Sequence, residues 1–114
     1  MKKELKNTGA SIDEIRLKNF KDPKRAKFAM KLALEDFEKD NNLEILLDTL
    51  RLVAKAQGGI ATLAKKTSIT RQALNEALSA KGNPRLRTFQ SVLGSLGLRM
   101  TLKRVDTHAE VHHV

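Results

Sequence analysis

Apolar residues recur at helical spacing through most of this chain. Ala26, Met30, Ala33 and Phe37 follow one another at intervals of four, three and four, which puts them on one stripe of a helix. Asp22-Pro23 predicts where that helix begins. An aspartate side chain accepts the free amide bonds of a first turn, and proline suits the first helical position because its missing N–H would be unpaired there. The polar run Lys39-Asp40-Asn41-Asn42 ends it. A second helix starts at Asn41 or Asn42, with Glu44 near its N-terminus, where a carboxylate meets the positive end of the helix dipole. Its wide apolar face is Leu43, Leu46, Leu47, Leu50, Val53 and Ala54. Gly58-Gly59 stops it, because glycine readily takes the left-handed conformation that closes a helix.

Three short helical segments come next: Ile60 to Thr67, Arg71 to Ser79 with Thr70 as its N-cap, and about Leu86 to Leu96 between Asn83-Pro84 and Gly97. Beyond them Leu98, Met100 and Leu102 alternate with Arg99, Thr101 and Lys103, a period of two that predicts one short amphipathic strand. The expected fold is therefore mainly all-α, with five helices and one C-terminal β-strand. Residues 1–21 are polar and basic, with Ile12, Ile15 and Leu17 as their few apolar positions, and read as a weakly ordered arm. Residues 22–105 read as one helical domain, and residues 106–114 as a flexible tail.

Composition agrees with helices. The 114 residues include four Phe and no Tyr, Trp or Cys. A core of Leu, Ile and Ala suits packed helices better than sheets, and without cysteine there is no disulfide frame or thiolate site. No apolar stretch approaches the ~20 residues of a membrane span. Met1-Lys2-Lys3 leads into no apolar run, so no secretion signal is expected, and the expected location is the cytoplasm, at the nucleoid when bound to DNA.

Charge changes the picture. The net +9 is divided unevenly: +6 over residues 1–31, −3 over 32–59, +8 over 60–105 and −2 over 106–114. A near absence of acids across 60–105 attracts polyanions. The same segment holds the string IATLAKKTSITRQALNEALS, two short helices joined by a tight turn at Thr67-Ser68-Ile69. That is the arrangement of a DNA-binding helix-turn-helix. Ala64 is small enough to let the two helices cross closely, while Ile69, Leu74 and Leu78, with Ala73 and Ala77 alongside, pin the inner face.

Thr70, Arg71, Gln72, Asn75 and Glu76 are then left for base reading. Arginine can make paired hydrogen bonds to guanine, and Gln or Asn to adenine. Lys65, Lys66, Lys81, Arg85 and Arg87 surround the unit as phosphate contacts, which set affinity and register without reading sequence. Ser68 stands where such turns commonly have glycine, because that residue often needs positive φ. The alternative reading of the string is a plain helical hairpin with a polar face.

The chain from about Phe20 to Val105 resembles the HigA-like antidote proteins of bacterial toxin–antitoxin addiction modules, which carry an XRE-type (Cro-like) DNA-binding domain. The resemblance rests on FKDPKRAKFAMKLALEDFE, LLDTLRLVAKAQGGIATLAKKTSITRQALNEALS and KGNPRLRTFQSVLGSLGLRMTL. Its most diagnostic features are Gly58-Gly59 before the motif, the turn Gly82-Asn83-Pro84-Arg85 after it, and the exit Leu96-Gly97-Leu98. It implies a five-helix lambda-repressor-like domain and a protein that is usually dimeric. Such a protein neutralises a cognate toxin, commonly a RelE/HigB-like ribonuclease, and represses its own operon by binding double-stranded operator DNA. The family's recognition-helix positions fall on Thr70, Arg71, Gln72, Asn75 and Glu76.

A homodimer also has physical grounds, since two copies double the DNA site that one motif reads. Phe89, Leu93, Leu96, Leu98, Met100 and Leu102 are the candidate pairing residues, with intramolecular core as the other reading. The acidic residues Glu35, Asp36, Glu38, Asp40, Glu44 and Asp48 face either a basic toxin or solvent. His108 and His112, at i, i+4 beside His113, have metal-binding spacing but belong to the tail, so no metal is expected. Lys24, Lys27 and Phe28 suggest a membrane surface, against which the acidic second half of their helix argues. No catalytic constellation or phosphate-binding loop is present, and neither enzymatic activity nor a cofactor is expected. A stand-alone Cro-like transcriptional regulator without a toxin, and a protein-interaction module with a vestigial helix-turn-helix, are the alternative functions.

Overall fold

A computed structural model describes residues 11–105. The first ten residues of the arm, and the tail with His108, His112 and His113, lie outside the described residues. Among the described residues six helices succeed one another: α1 (Ile12–Asn19), α2 (Pro23–Asp40), α3 (Leu43–Ala56), α4 (Gly59–Thr67), α5 (Arg71–Ala77) and α6 (Leu86–Ser95).

Helix α1 lies in the segment expected to be weakly ordered. Ser11 and Glu14 close a reciprocal capping box: the Glu14 N–H donates to Ser11 Oγ at 3.1 Å, and the Ser11 N–H donates to Glu14 Oε1 at 2.7 Å. Phe20 at its C-terminus is buried in the core. Gln57 Nε2 holds the adjoining turn, donating to the Phe20 carbonyl at 2.6 Å and to the Lys21 carbonyl at 3.3 Å. Eight residues are too few for a helix to persist alone. The cap and these tertiary anchors are what order α1 against α3.

The next two helices begin where the sequence predicts. Asp22 caps α2 by accepting the Lys24 N–H at 3.0 Å, and Asn42 caps α3 by accepting the Ile45 N–H at 3.2 Å. Asn41 makes the break between them in the left-handed region, φ 56°. The central layer is α3, against which α1, α2 and α4 all pack. Its Leu46, Leu47, Leu50, Val53 and Ala54 are buried together with Met30 of α2, Leu63 of α4, Leu74 and Leu78 at α5, and Val92 and Leu93 of α6. Helix α4 in turn carries α5 and α6. The core therefore grips α5 from beneath and leaves its other side to solvent.

The C-terminal end departs from expectation. Among the described residues there is no strand. Leu96-Gly97-Leu98 instead closes α6: Gly97 takes φ 78°, its N–H donates to the Gly94 carbonyl at 3.0 Å, and the Leu98 N–H donates to the Leu93 carbonyl at 2.8 Å. This paired bonding is a Schellman cap, with Leu98 folded back on the core. The alternation that predicts a strand thus begins on a residue committed to a helix cap. Residues 99–105 are exposed and have no neighbouring strand to pair with among the described residues. The all-α class stands, with six helices and no strand among the described residues where five helices and a strand were expected.

Candidate nucleic-acid interface

Helices α4 and α5 are joined by Ser68, Ile69 and Thr70 alone. The turn is pinned by Thr67, whose Oγ1 donates to the Leu63 carbonyl at 2.8 Å and accepts the Ile69 N–H at 3.2 Å. Ser68 takes the left-handed conformation, φ 61°, as the turn's geometry demands, and its N–H donates to the Ala64 carbonyl at 2.9 Å. Ala64 and Ile69 pack against the core.

Seven residues give α5 barely two turns, and a helix so short owes its form to anchors at its ends and beneath it. At the start, Thr70 Oγ1 accepts the Ala73 N–H at 3.1 Å. Beneath, Leu74 and Leu78 are 0% and 1% exposed. At the end, the Leu78 carbonyl accepts a hydrogen bond from Nη1 of Arg51 on α3. Gly82 returns against the same end, with its N–H donating to the Ser79 carbonyl at 2.8 Å.

Thr70, Arg71, Gln72, Asn75 and Glu76 are all exposed. Gln72 and Glu76, one turn apart, lie opposite Leu74 by the 3.6-residue repeat. Ala73, expected on the inner face, is exposed as well, and Ala77 is half-buried. Lys65 and Lys66 end α4, Lys81 lies just beyond α5, and Arg85 and Arg87 stand at the start of α6; all five are exposed. None of these five, nor Arg71, belongs to an ion pair among the described residues, where the paired bases are Arg16, Arg25 and Arg51. The surface thus offers exposed cations around one short helix with a polar outer side. Hydrogen-bonding groups of those kinds, so presented, can meet both phosphate oxygens and base edges.

The residues expected to pair two copies separate into two sets. Leu93 is buried at 2% exposure, and Phe89, Leu96 and Leu98 pack partly buried on the core. Met100 and Leu102 are exposed. Of the acidic set, Glu35, Asp36, Glu38, Asp40 and Glu44 are exposed, whereas Asp48 is half-buried between two arginines. No helix among the described residues is long and apolar enough to cross a membrane.

Sequence reasoning missed Arg16 and Arg51 and read Asp48 only as part of an acidic face, because Arg16 meets Asp48 and Arg51 meets the Leu78 carbonyl across long stretches of chain. It also missed the Ser11-x-x-Glu14 box, whose signal was there to read.

Residues 24–104 match a family model described as a probable addiction module antidote protein. The chain belongs to that antidote family. A Haemophilus influenzae (strain ATCC 51907 / DSM 11121 / KW20 / Rd) protein, described as uncharacterized, is 29% identical to this antidote-family chain over 75 residues, covering 66% of this chain and 76% of the other. No solved structure gives a significant match. The family match runs from the first turn of α2 to the segment after α6 and takes in all of α4 and α5, with α1 outside it. Membership supports an antitoxin function for this antidote protein, and with it a cognate toxin as partner.

Proposed function

We propose that this protein is the antitoxin of a type II toxin–antitoxin module: it neutralises a RelE/HigB-like toxin and represses its own operon by sequence-specific DNA binding. Membership of the antidote family carries the first half of the reading. The second half is supported by one observation above the others. The outer side of α5 presents Arg71, Gln72, Asn75 and Glu76 to solvent while Leu74 and Leu78 anchor its inner side, within a segment of net charge +8. In this reading α4 and α5 are an XRE/Cro-type helix-turn-helix. Helix α5 enters the major groove, where Thr70, Arg71, Gln72, Asn75 and Glu76 meet base edges, and Lys65, Lys66, Lys81, Arg85 and Arg87 hold the phosphates. The protein works without catalysis or cofactor, in the cytoplasm.

Two copies act together. One short helix reads too few base pairs for operator specificity, and a two-fold dimer reads two half-sites about one helical turn apart. The exposed Met100 and Leu102, in the segment after α6, supply a surface for the second copy. Phe89, Leu96 and Leu98 lie partly buried on the core.

The test has two arms. Co-expression with the protein encoded next to this gene should relieve growth arrest and yield a co-purifying complex. A gel shift on the DNA upstream of the gene should show specific binding. Rescue without binding to that DNA overturns the repressor half and leaves an interaction module. Specific DNA binding without a neutralised partner leaves a stand-alone regulator.

A further inference from the structure

A chain of charged contacts runs from the N-terminal helix to the far end of α5. Arg16 of α1 reaches α3, with Nη1 at 3.5 Å from Asp48 Oδ2 and Nη2 donating to Thr49 Oγ1 at 3.5 Å. The other oxygen of the same carboxylate, Asp48 Oδ1, accepts Nη2 of Arg51 at 3.1 Å. The second nitrogen of that guanidinium, Nη1, donates to the Leu78 carbonyl at the C-cap of α5. Asp48 is thus shared between two arginines, and Arg51 between a carboxylate and a helix end.

The placement of Arg51 matters because of what α5 lacks. A helix C-terminus leaves carbonyls unpaired and carries partial negative charge, which a cation there offsets. Helix α5 has no basic residue in its own last turn; the cation comes from α3. A planar guanidinium can serve carboxylate and carbonyl together, so the orientation fixed by Asp48 is passed on to α5. Base-edge hydrogen bonds fail within a few tenths of an ångström, so an error at the helix end reaches every reading side chain.

We propose that Arg51 is the positioning residue of the reading helix, and that α1 sets it through Arg16 and Asp48, so that the docking of α1 is felt at the DNA face. The proposal rests on α5 being the helix that reads DNA. Arg51 touches no DNA in it; it acts through the Leu78 carbonyl.

The test uses full-length protein with two readouts. One is hydrogen exchange at the Leu78 and Ser79 amides. The other is affinity for the duplex upstream of the gene against affinity for a random-sequence duplex. Arg51→Met should speed exchange at both amides and weaken the upstream duplex at least ~10-fold, with a change under ~2-fold for random sequence. Arg51→Lys keeps the charge and guards against a variant that fails to fold; its ammonium lacks the planar two-nitrogen fork that serves Leu78 and Asp48 from separate atoms, so specific binding should still drop ~3-fold or more. Arg16→Met should weaken specific binding ~2–5-fold in the native background and add nothing to Arg51→Lys, since the shared link is already cut. Unchanged exchange and affinity in both Arg51 variants overturns the proposal, as does an Arg16 effect that adds fully to theirs. If the native protein binds neither duplex, the DNA reading itself falls. Exchange at Leu78 and Ser79 in the Arg16 variant then decides the link between α1 and α5 alone.

Discussion

Gly82 lies so close to the end of α5 that a Cβ on it would stand 2.2 Å from the Ala77 carbonyl oxygen. The obstacle is backbone, which cannot swing aside as a side chain would. The Gly82-Asn83-Pro84-Arg85 turn therefore owes its glycine to close approach, and through it the loop before α6 is seated on the helix that carries Arg71 and Gln72.

Gly82→Ala should accordingly destabilise the fold by about 1–3 kcal/mol, the ordinary range for over-packing. Chemical denaturation measures it. The same variant should lose affinity for specific DNA, because relief of the clash moves either the loop or the end of α5. Native-like stability in Gly82→Ala would show that the loop yields freely.

Ser68 should respond in the opposite direction. A non-glycine residue at φ 61° is strained, and the strain of the left-handed region is roughly 1–2 kcal/mol, partly offset by the greater freedom glycine gives the unfolded chain. Ser68→Gly is expected to stabilise the protein by about 0.5–1 kcal/mol in thermal or denaturant unfolding. DNA affinity should stay the same, since Ser68 makes no proposed contact with bases.

Helix α1 stands on its capping box. Ser11→Ala removes the acceptor of the Glu14 N–H and should cost about 1 kcal/mol of local stability. Hydrogen exchange at Glu14 and Ile15 should quicken, with α3 unaffected. Equal exchange in both proteins would return this segment to the loose arm that its polar composition suggests.

The two classes of surface residue separate by salt and by sequence. Arg71→Ala or Gln72→Ala should cost roughly 1–3 kcal/mol of specific binding and relax base choice. Lys65→Ala or Arg87→Ala should weaken all duplexes alike and flatten the dependence of affinity on salt. Titrations at several salt concentrations on matched and scrambled duplexes check both.

Much of the fold was legible along the chain for physical reasons that act locally. Asp22, Asn42 and Thr70 cap the helices that their sequence positions predict, because capping needs only the next three residues. The stripe of α3 is buried as its spacing predicts, because one apolar face has one place to go. Ser68 adopts the positive φ that the turn motif asks for.

The failures lie where tertiary contacts decide. Helix α1 is ordered by Phe20, Gln57 and Arg16 meeting residues of other elements. The alternation after Leu98 mimics a strand, but a strand is made by its neighbour, and Leu98 has already turned inward to cap α6. Around α5, the outward side chains could be named from helical periodicity. The grip of Arg51 on Leu78 could not, because 27 residues separate them.

The role of α5 is tested most directly by a footprint of the native protein, Arg71→Ala and Gln72→Ala on the DNA upstream of the gene. Two protected half-sites related by two-fold symmetry are expected, with centres about 34 Å apart, and protection lost or base preference relaxed in each variant. An absent footprint, or one that both substitutions leave unchanged, would contradict the assignment of α5 as the reading helix.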